Sequence, residues 1–140
     1  MFKKITLIII TLIISIMFLG CHKKASYITD ADEFDKLFSG ALKYDIRDTS
    51  SCEEGHIPSF LCMGGISDND RLVETIKISA ESKDRVIIII STGDDKARVD
   101  EIFKLLNKEK YYNLYSFEGG YENYVQLKGE TFVPEVGCDC

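Results

Sequence analysis

Two apolar runs free of charged residues stand out in a chain whose other hydrophobic positions are periodic. The one inside the folded part, Val86-Ile87-Ile88-Ile89-Ile90, is β-branched and shows no alternation. Such a run reads as a strand buried on both faces, the usual state in a parallel sheet. It leads into the polar loop Ser91-Thr92-Gly93-Asp94-Asp95-Lys96, and then the period changes. Val99, Ile102, Phe103, Leu105 and Leu106 fall on one face of a helix. A strand, a tight loop and a helix in succession aim backbone N–H groups and a helix N-terminus at the loop, a cradle that favours an anion.

The remaining patterns predict more of the same alternation. Thr29 or Asp30 can cap a helix with Ala31, Phe34, Leu37 and Phe38 on its apolar face, Asp32 or Glu33 closing a capping box and Gly40 ending it. Leu42, Tyr44 and Ile46 alternate as a strand, and Thr49 to Gly55 reads as a loop. Phe60 to Met63 predicts a short strand, and Ser67 or Asp68 caps a helix that turns Leu72, Val73 and Ile76 inward. Tyr112 to Phe117 predicts a further strand, Gly119-Gly120 a turn, and Tyr121 to Leu127 a short helix. The tail from Gly129 has strand-like composition at Thr131-Phe132-Val133 and no helical pattern. Helices alternating with strands argue a three-layer α/β domain with a mainly parallel central sheet. Ser91 would lie beyond the carboxyl end of a strand, where such sheets bind ligands.

The second apolar run, Ile5 to Leu19, follows Lys3 and Lys4 and precedes Gly20-Cys21. It is short for a membrane-spanning helix and has the flanks of an export signal. Phe18-Leu19-Gly20-Cys21 resembles the lipobox of bacterial lipoproteins, cut ahead of a cysteine that carries a diacylglyceryl thioether. That resemblance implies lipidation of Cys21, the cell membrane as anchoring partner and an extracytoplasmic location. The chain of 140 residues carries 17 basic and 23 acidic side chains; without Lys3 and Lys4 the balance is 15 to 23, a net of −8. An acidic surface repels nucleic acid and anionic head groups, so a lipid rather than charge would hold the protein at the membrane.

Beyond Cys21 four cysteines remain, Cys52, Cys62, Cys138 and Cys140, and four allow three pairings. Outside the cytoplasm a structural bridge such as Cys52 with Cys62 is the simpler reading. Pairing of the tail with Cys52 or Cys62, or a redox-active dithiol, is the sharper one. Cys138 and Cys140 are spaced too closely for a relaxed bridge of their own.

Three motifs in order give the chain a family resemblance. Asp45-Ile46-Arg47 resembles the Asp-x-Arg strand end of rhodanese domains. Gly55-His56-Ile57-Pro58 resembles their Gly-His-Ile-Pro signature, and Phe117-Glu118-Gly119-Gly120-Tyr121 their Gly-Gly-Tyr element. The resemblance runs from about Tyr27 to Leu127 and implies the rhodanese fold. The expected organisation is a leader over 1–20, a tether with lipidated Cys21 over 21–26, one domain over 27–128 and a cysteine-containing tail over 129–140.

The departure from the family falls at the loop. Active rhodaneses place cysteine first and commonly read Cys-Arg-x-Gly-x-Arg, whereas this chain has Ser91, Thr92, Gly93, Asp94, Asp95 and Lys96. A thiol of pKa about 8.5 is readily lowered to a thiolate that accepts sulfane sulfur. A serine hydroxyl forms no persulfide and, without a positioned base, is barely nucleophilic. Asp94 and Asp95 set negative charge against an incoming thiosulfate. The ordinary sulfurtransferase reaction is therefore expected to be absent, with no catalytic residue in the loop. His56, the only histidine of the domain, belongs to a structural turn in the family pattern, and Asp45, Gly55, Gly119 and Gly120 are structural likewise.

Arg47, Ser91 and Lys96 are the candidate binding residues, Arg47 more as part of a charge network with Asp45 than as a direct contact. Asp94 and Asp95 read as helix caps rather than cation ligands, and no metal or cofactor is called for. The resulting expectation is a membrane-anchored binding or interaction module for a protein partner, leaning away from an enzyme. Its alternative is a sulfur-transfer or thiol–disulfide enzyme using Cys52, Cys62, Cys138 or Cys140.

Overall fold

The computed structural model describes residues 25–138. The leader, Cys21 and Cys140 lie outside the described residues. Five strands form one sheet: β1 (Ser26–Ile28), β2 (Leu42–Asp45), β3 (Leu61–Cys62), β4 (Ile87–Ile90) and β5 (Leu114–Phe117). Their order is β1-β5-β4-β2-β3, and every pairing is parallel. Five helices connect or follow them: α1 (Ala31–Asp35), α2 (Thr49–Glu54), α3 (Asn69–Ser79), α4 (Lys96–Lys108) and α5 (Gly120–Lys128). The α/β class and the parallel sheet are as the sequence predicts.

The isoleucines of β4 explain the layering. All four are fully buried, and they alternate: Ile87 and Ile89 pack with Leu72, Ile76, Ile102 and Leu106 of α3 and α4. Ile88 and Ile90 pack on the other face with Phe34, Ile57, Phe117 and Tyr124. Burying such a side chain contributes roughly 1.5–3 kcal/mol each, so the central strand alone anchors both helical layers.

Caps fix where the helices begin. Asp30 accepts the Glu33 N–H at 2.8 Å and Asp68 accepts the Arg71 N–H at 2.7 Å. α1 ends at Asp35, so Leu37 and Phe38 pack from the turn that follows it rather than from the helix; Gly40 closes that turn at φ 72°.

Three elements differ from expectation, the first being β1, a strand the sequence pattern does not predict. Residues 49–54 form helix α2, not loop, because the Asp48 carboxylate caps the Ser51 N–H at 3.0 Å. The strand-like composition at 131–133 does not produce a strand; Gly129–Thr131 is a 3-10 turn. The tail pairs one step later, in an antiparallel bridge between Glu135 and His56 with two N–H···O contacts of 2.9 Å.

Candidate functional site

The carboxyl ends of β2, β4 and β5 bring three sequence-distant segments together. Ser91 follows β4 directly and is 2 % exposed. Its Oγ–H donates to Asp95 Oδ2 at 2.8 Å, and its carbonyl accepts the Tyr121 N–H at 2.9 Å. Asp95 occupies the cap position of α4, yet its side chain makes no capping hydrogen bond. The capping role expected for it is thus replaced by the contact with Ser91. Asp94 is exposed.

Two of the loop's backbone donors are already engaged. The Gly93 N–H donates to Glu122 Oε2 at 3.0 Å, and the Asp95 N–H to the Thr92 carbonyl at 3.1 Å. A carboxylate of the chain's own α5 therefore stands where an anion would be received. What remains is a cavity of about 60 Å³ lined by Ser91, Thr92, Gly93, Lys96, Glu118 and Gly119 among others. Lys96 lies over the Tyr27 ring with its Nζ 3.2 Å from the centroid, and 3.7 Å from Glu118 Oε2.

Arg47 does not line this cavity. Its NH2 donates to Asp45 Oδ2 at 2.6 Å and to the Gly55 carbonyl at 2.8 Å, while its Nε lies 3.0 Å from both Asp45 oxygens. The guanidinium carbon sits 3.5 Å from the Tyr121 ring centroid. Arg47 thereby joins the end of β2 to the residue that holds the Ser91 carbonyl. Burial raises the Tyr121 hydroxyl pKa, with the Arg47 charge acting in the opposite direction. Arg98 makes a second tie that the sequence did not single out: it donates to Asn69 Oδ1 at 3.0 Å and to the Ile66 and Ile46 carbonyls at 2.7 and 3.3 Å.

The cysteines form a separate place. Cys52 of α2 is bonded to Cys62 of β3, with Cα atoms 5.8 Å apart. Cys138 is disulfide-bonded as well, so its partner is neither of these two. His56, 4 % exposed, directs Nδ1–H at the Cys52 carbonyl (2.9 Å), with Cys62 Sγ 3.8 Å from the same nitrogen. Its Nε2 is 3.7 Å from Glu135 Oε2. The ligand atoms of Cys52, His56 and Cys62 lie within 4.8 Å of one another. A cavity of about 400 Å³ opens beside them and shares no lining residue with the Ser91 cavity.

Asp48, which caps the helix carrying Cys52, gives a pH signature. The Ser50 and Ser51 hydroxyls, each 2.6 Å from a carboxylate oxygen, hold its pKa well below the usual carboxylate range. Relative to an unfolded value near ~3.9, this stabilisation is fully present above that pH and is lost as pH falls through the folded value. The Asp48→Asn variant should therefore differ from the native chain in urea midpoint by a constant amount from pH 7 to 5. Below about pH 4 the gap should shrink.

Comparison with known proteins follows the geometry. The rhodanese-like domain model matches residues 30–127. The chain belongs to the rhodanese-like domain family. No protein with a curated description matches it. Among solved structures it is similar to the crystal structure of the Alr3790 protein from Anabaena sp., with a TM-score of 0.59 and 21 % identity over 77 % of this chain and 81 % of that one. The solution structure of the rhodanese-like domain of the same protein gives 0.56 and 21 % over 82 % and 89 %. The BH2092 protein from Bacillus halodurans gives 0.52 and 23 % over 79 % and 77 %. At these identities the likeness is one of fold. Among the described residues no helix of this rhodanese-like protein is long and apolar enough to cross a membrane.

Proposed function

We propose that this rhodanese-like protein lacks ordinary thiosulfate sulfurtransferase activity and serves as a binding or interaction module, held on the extracytoplasmic face of the membrane by lipid on Cys21. The loop Ser91 to Lys96 and its rim are its recognition surface. One observation carries the reading: Ser91 donates its hydroxyl proton to Asp95 while Glu122 takes the Gly93 N–H. The nucleophile position holds an alcohol, and carboxylates surround the place where a sulfur anion would sit. Neither a persulfide nor an anionic donor is served by that arrangement. The lipid anchor rests on the sequence of the leader and on Cys21.

The assay uses the full chain with thiosulfate and cyanide. No thiocyanate above the blank is expected. Ser91→Cys alone should stay near the blank, because a thiol donating to Asp95 is held protonated rather than ionised. Adding Asp95→Asn and Glu122→Gln should raise turnover about tenfold or more over the single variant, since both changes restore the preference for a thiolate and an anion. Turnover by the native chain would overturn the reading. Anchoring is checked by labelled palmitate, which should be incorporated by the native chain and not by Cys21→Ser.

A further inference from the structure

The 400 Å³ cavity is lined by His56, Phe60, Leu61, Cys62, Glu135 and Cys138, among others, and belongs to no part of the loop around Ser91. Its wall holds a disulfide sulfur, a buried imidazole and an apolar rim, for Leu61 and Val136 are 52 % and 71 % exposed. The two sulfurs of the bridge are unequal. Cys52 is fully buried, whereas Cys62 lines the cavity and lies 3.8 Å from His56 Nδ1. Because Nδ1 faces a carbonyl, which only accepts, that nitrogen carries a hydrogen. A hydrogen-bond donor next to a sulfur favours its thiolate.

We infer that Cys52–Cys62 is a redox-active pair that exchanges with a dithiol substrate entering this cavity, with Cys62 the exchanging sulfur and His56 the group that steadies its thiolate. A substrate thiolate attacks Cys62 Sγ. The substrate–Cys62 bond forms as the bond to Cys52 breaks, and Cys52 leaves with the electron pair and takes a proton. The second substrate thiolate then attacks the substrate sulfur of the mixed disulfide and releases Cys62 as a thiolate beside Nδ1–H. The substrate has become a disulfide by losing two electrons, the pair has gained them, and the two thiol protons pass to Cys52 and to solvent. The exposed apolar rim suits a dithiol carried on a polypeptide. A soft metal held by Cys52, His56 and Cys62 is disfavoured, since binding through Nδ1 would set its lone pair against the Cys52 carbonyl.

The charged and titratable groups around Cys62 are His56, Glu135 of the tail and, across the sheet, the Asp45–Arg47 ion pair, with Asp45 the register partner of Cys62. The test equilibrates the full chain with mixtures of reduced and oxidised glutathione and maps the adducts by mass spectrometry. The bridge should open and reclose without unfolding, with the glutathione adduct on Cys62 and not on Cys52. After reduction, iodoacetamide at pH 6.5 should modify Cys62 about tenfold faster in the native chain than in His56→Gln, as a one-unit change in thiol pKa implies. Exchange should persist in Cys138→Ser. A bridge that opens only on unfolding, an adduct on Cys52 in place of Cys62, or equal alkylation rates in native and variant would each overturn the inference. The thiosulfate assay is untouched by these outcomes, so the two readings stand or fall apart.

Discussion

Arg47→Ala should cost the domain roughly 3–5 kcal/mol, the usual consequence of removing one partner of a buried ion pair. Asp45 has no solvent exposure and Arg47 only 6 %, so the substitution leaves a buried carboxylate without its charged partner, keeping only the residue 47 backbone N–H. The Gly55 carbonyl would lose its donor and the Tyr121 ring the cation stacked on it. Against a typical domain stability of about 5–15 kcal/mol, that loss is a large fraction. It should appear as a fall in urea midpoint with the slope unchanged. Pairing the change with Asp45→Asn should recover part of the loss, because the uncompensated charge is then gone. A loss under about 1 kcal/mol, the range of exposed ion pairs, would show that solvent reaches this pair.

Gly120→Ala should be similarly damaging, for a different reason. Its φ of 73° lies where an L side chain costs about 1–2 kcal/mol. A Cβ there would stand 2.5 Å from the Gly93 nitrogen, 2.6 Å from the Thr92 carbonyl carbon and 2.7 Å from the Ser91 carbonyl oxygen. All three are backbone atoms, so relief requires moving the loop, and overpacking of this kind adds about 1–3 kcal/mol. The sum is roughly 2–5 kcal/mol, with the loop displaced. Thermal unfolding gives the first quantity. The second is read from amide exchange: the Tyr121 N–H, held by the Ser91 carbonyl, should lose protection ahead of the core strands. Unchanged protection at Tyr121 would mean that the loop and the start of α5 are not coupled through Gly120.

The fold was legible where a local pattern and its burial coincide. β4 is the clearest case, since four consecutive isoleucines must be covered on both faces. α3 and α4 follow from a helical period and, for α3, the Asp68 cap. Helix α2 was not legible. Thr49-Ser50-Ser51-Cys52-Glu53-Glu54 has a single buried residue, Cys52, and its helicity depends on the Asp48 cap. β1 escaped because three residues carry no period; Tyr27 and Ile28 are strand only through pairing with Ser116 and Phe117.

The site divides in the same way. Ser91 at a strand end, the motif glycines and the Asp45–Arg47 pair could be placed from spacing and resemblance. The contacts that define its chemistry could not. Glu122 reaches Gly93 across 29 residues, and Glu135 folds back on His56 from the tail. Asp95 sits where a cap belongs, and only the side-chain geometry reveals that it serves Ser91 instead.

The parallel direction of all five strands also sets an orientation. β1 opens the described domain at Ser26, and its amino end lies at the opposite end of the parallel strands from the carboxyl ends that carry Ser91 and Glu118. A molecule tethered to a surface through the residues ahead of β1 would stand with those carboxyl ends turned outward. The loop from Ser91 to Lys96 would then meet what approaches from solution, and the base of the sheet would face the anchor.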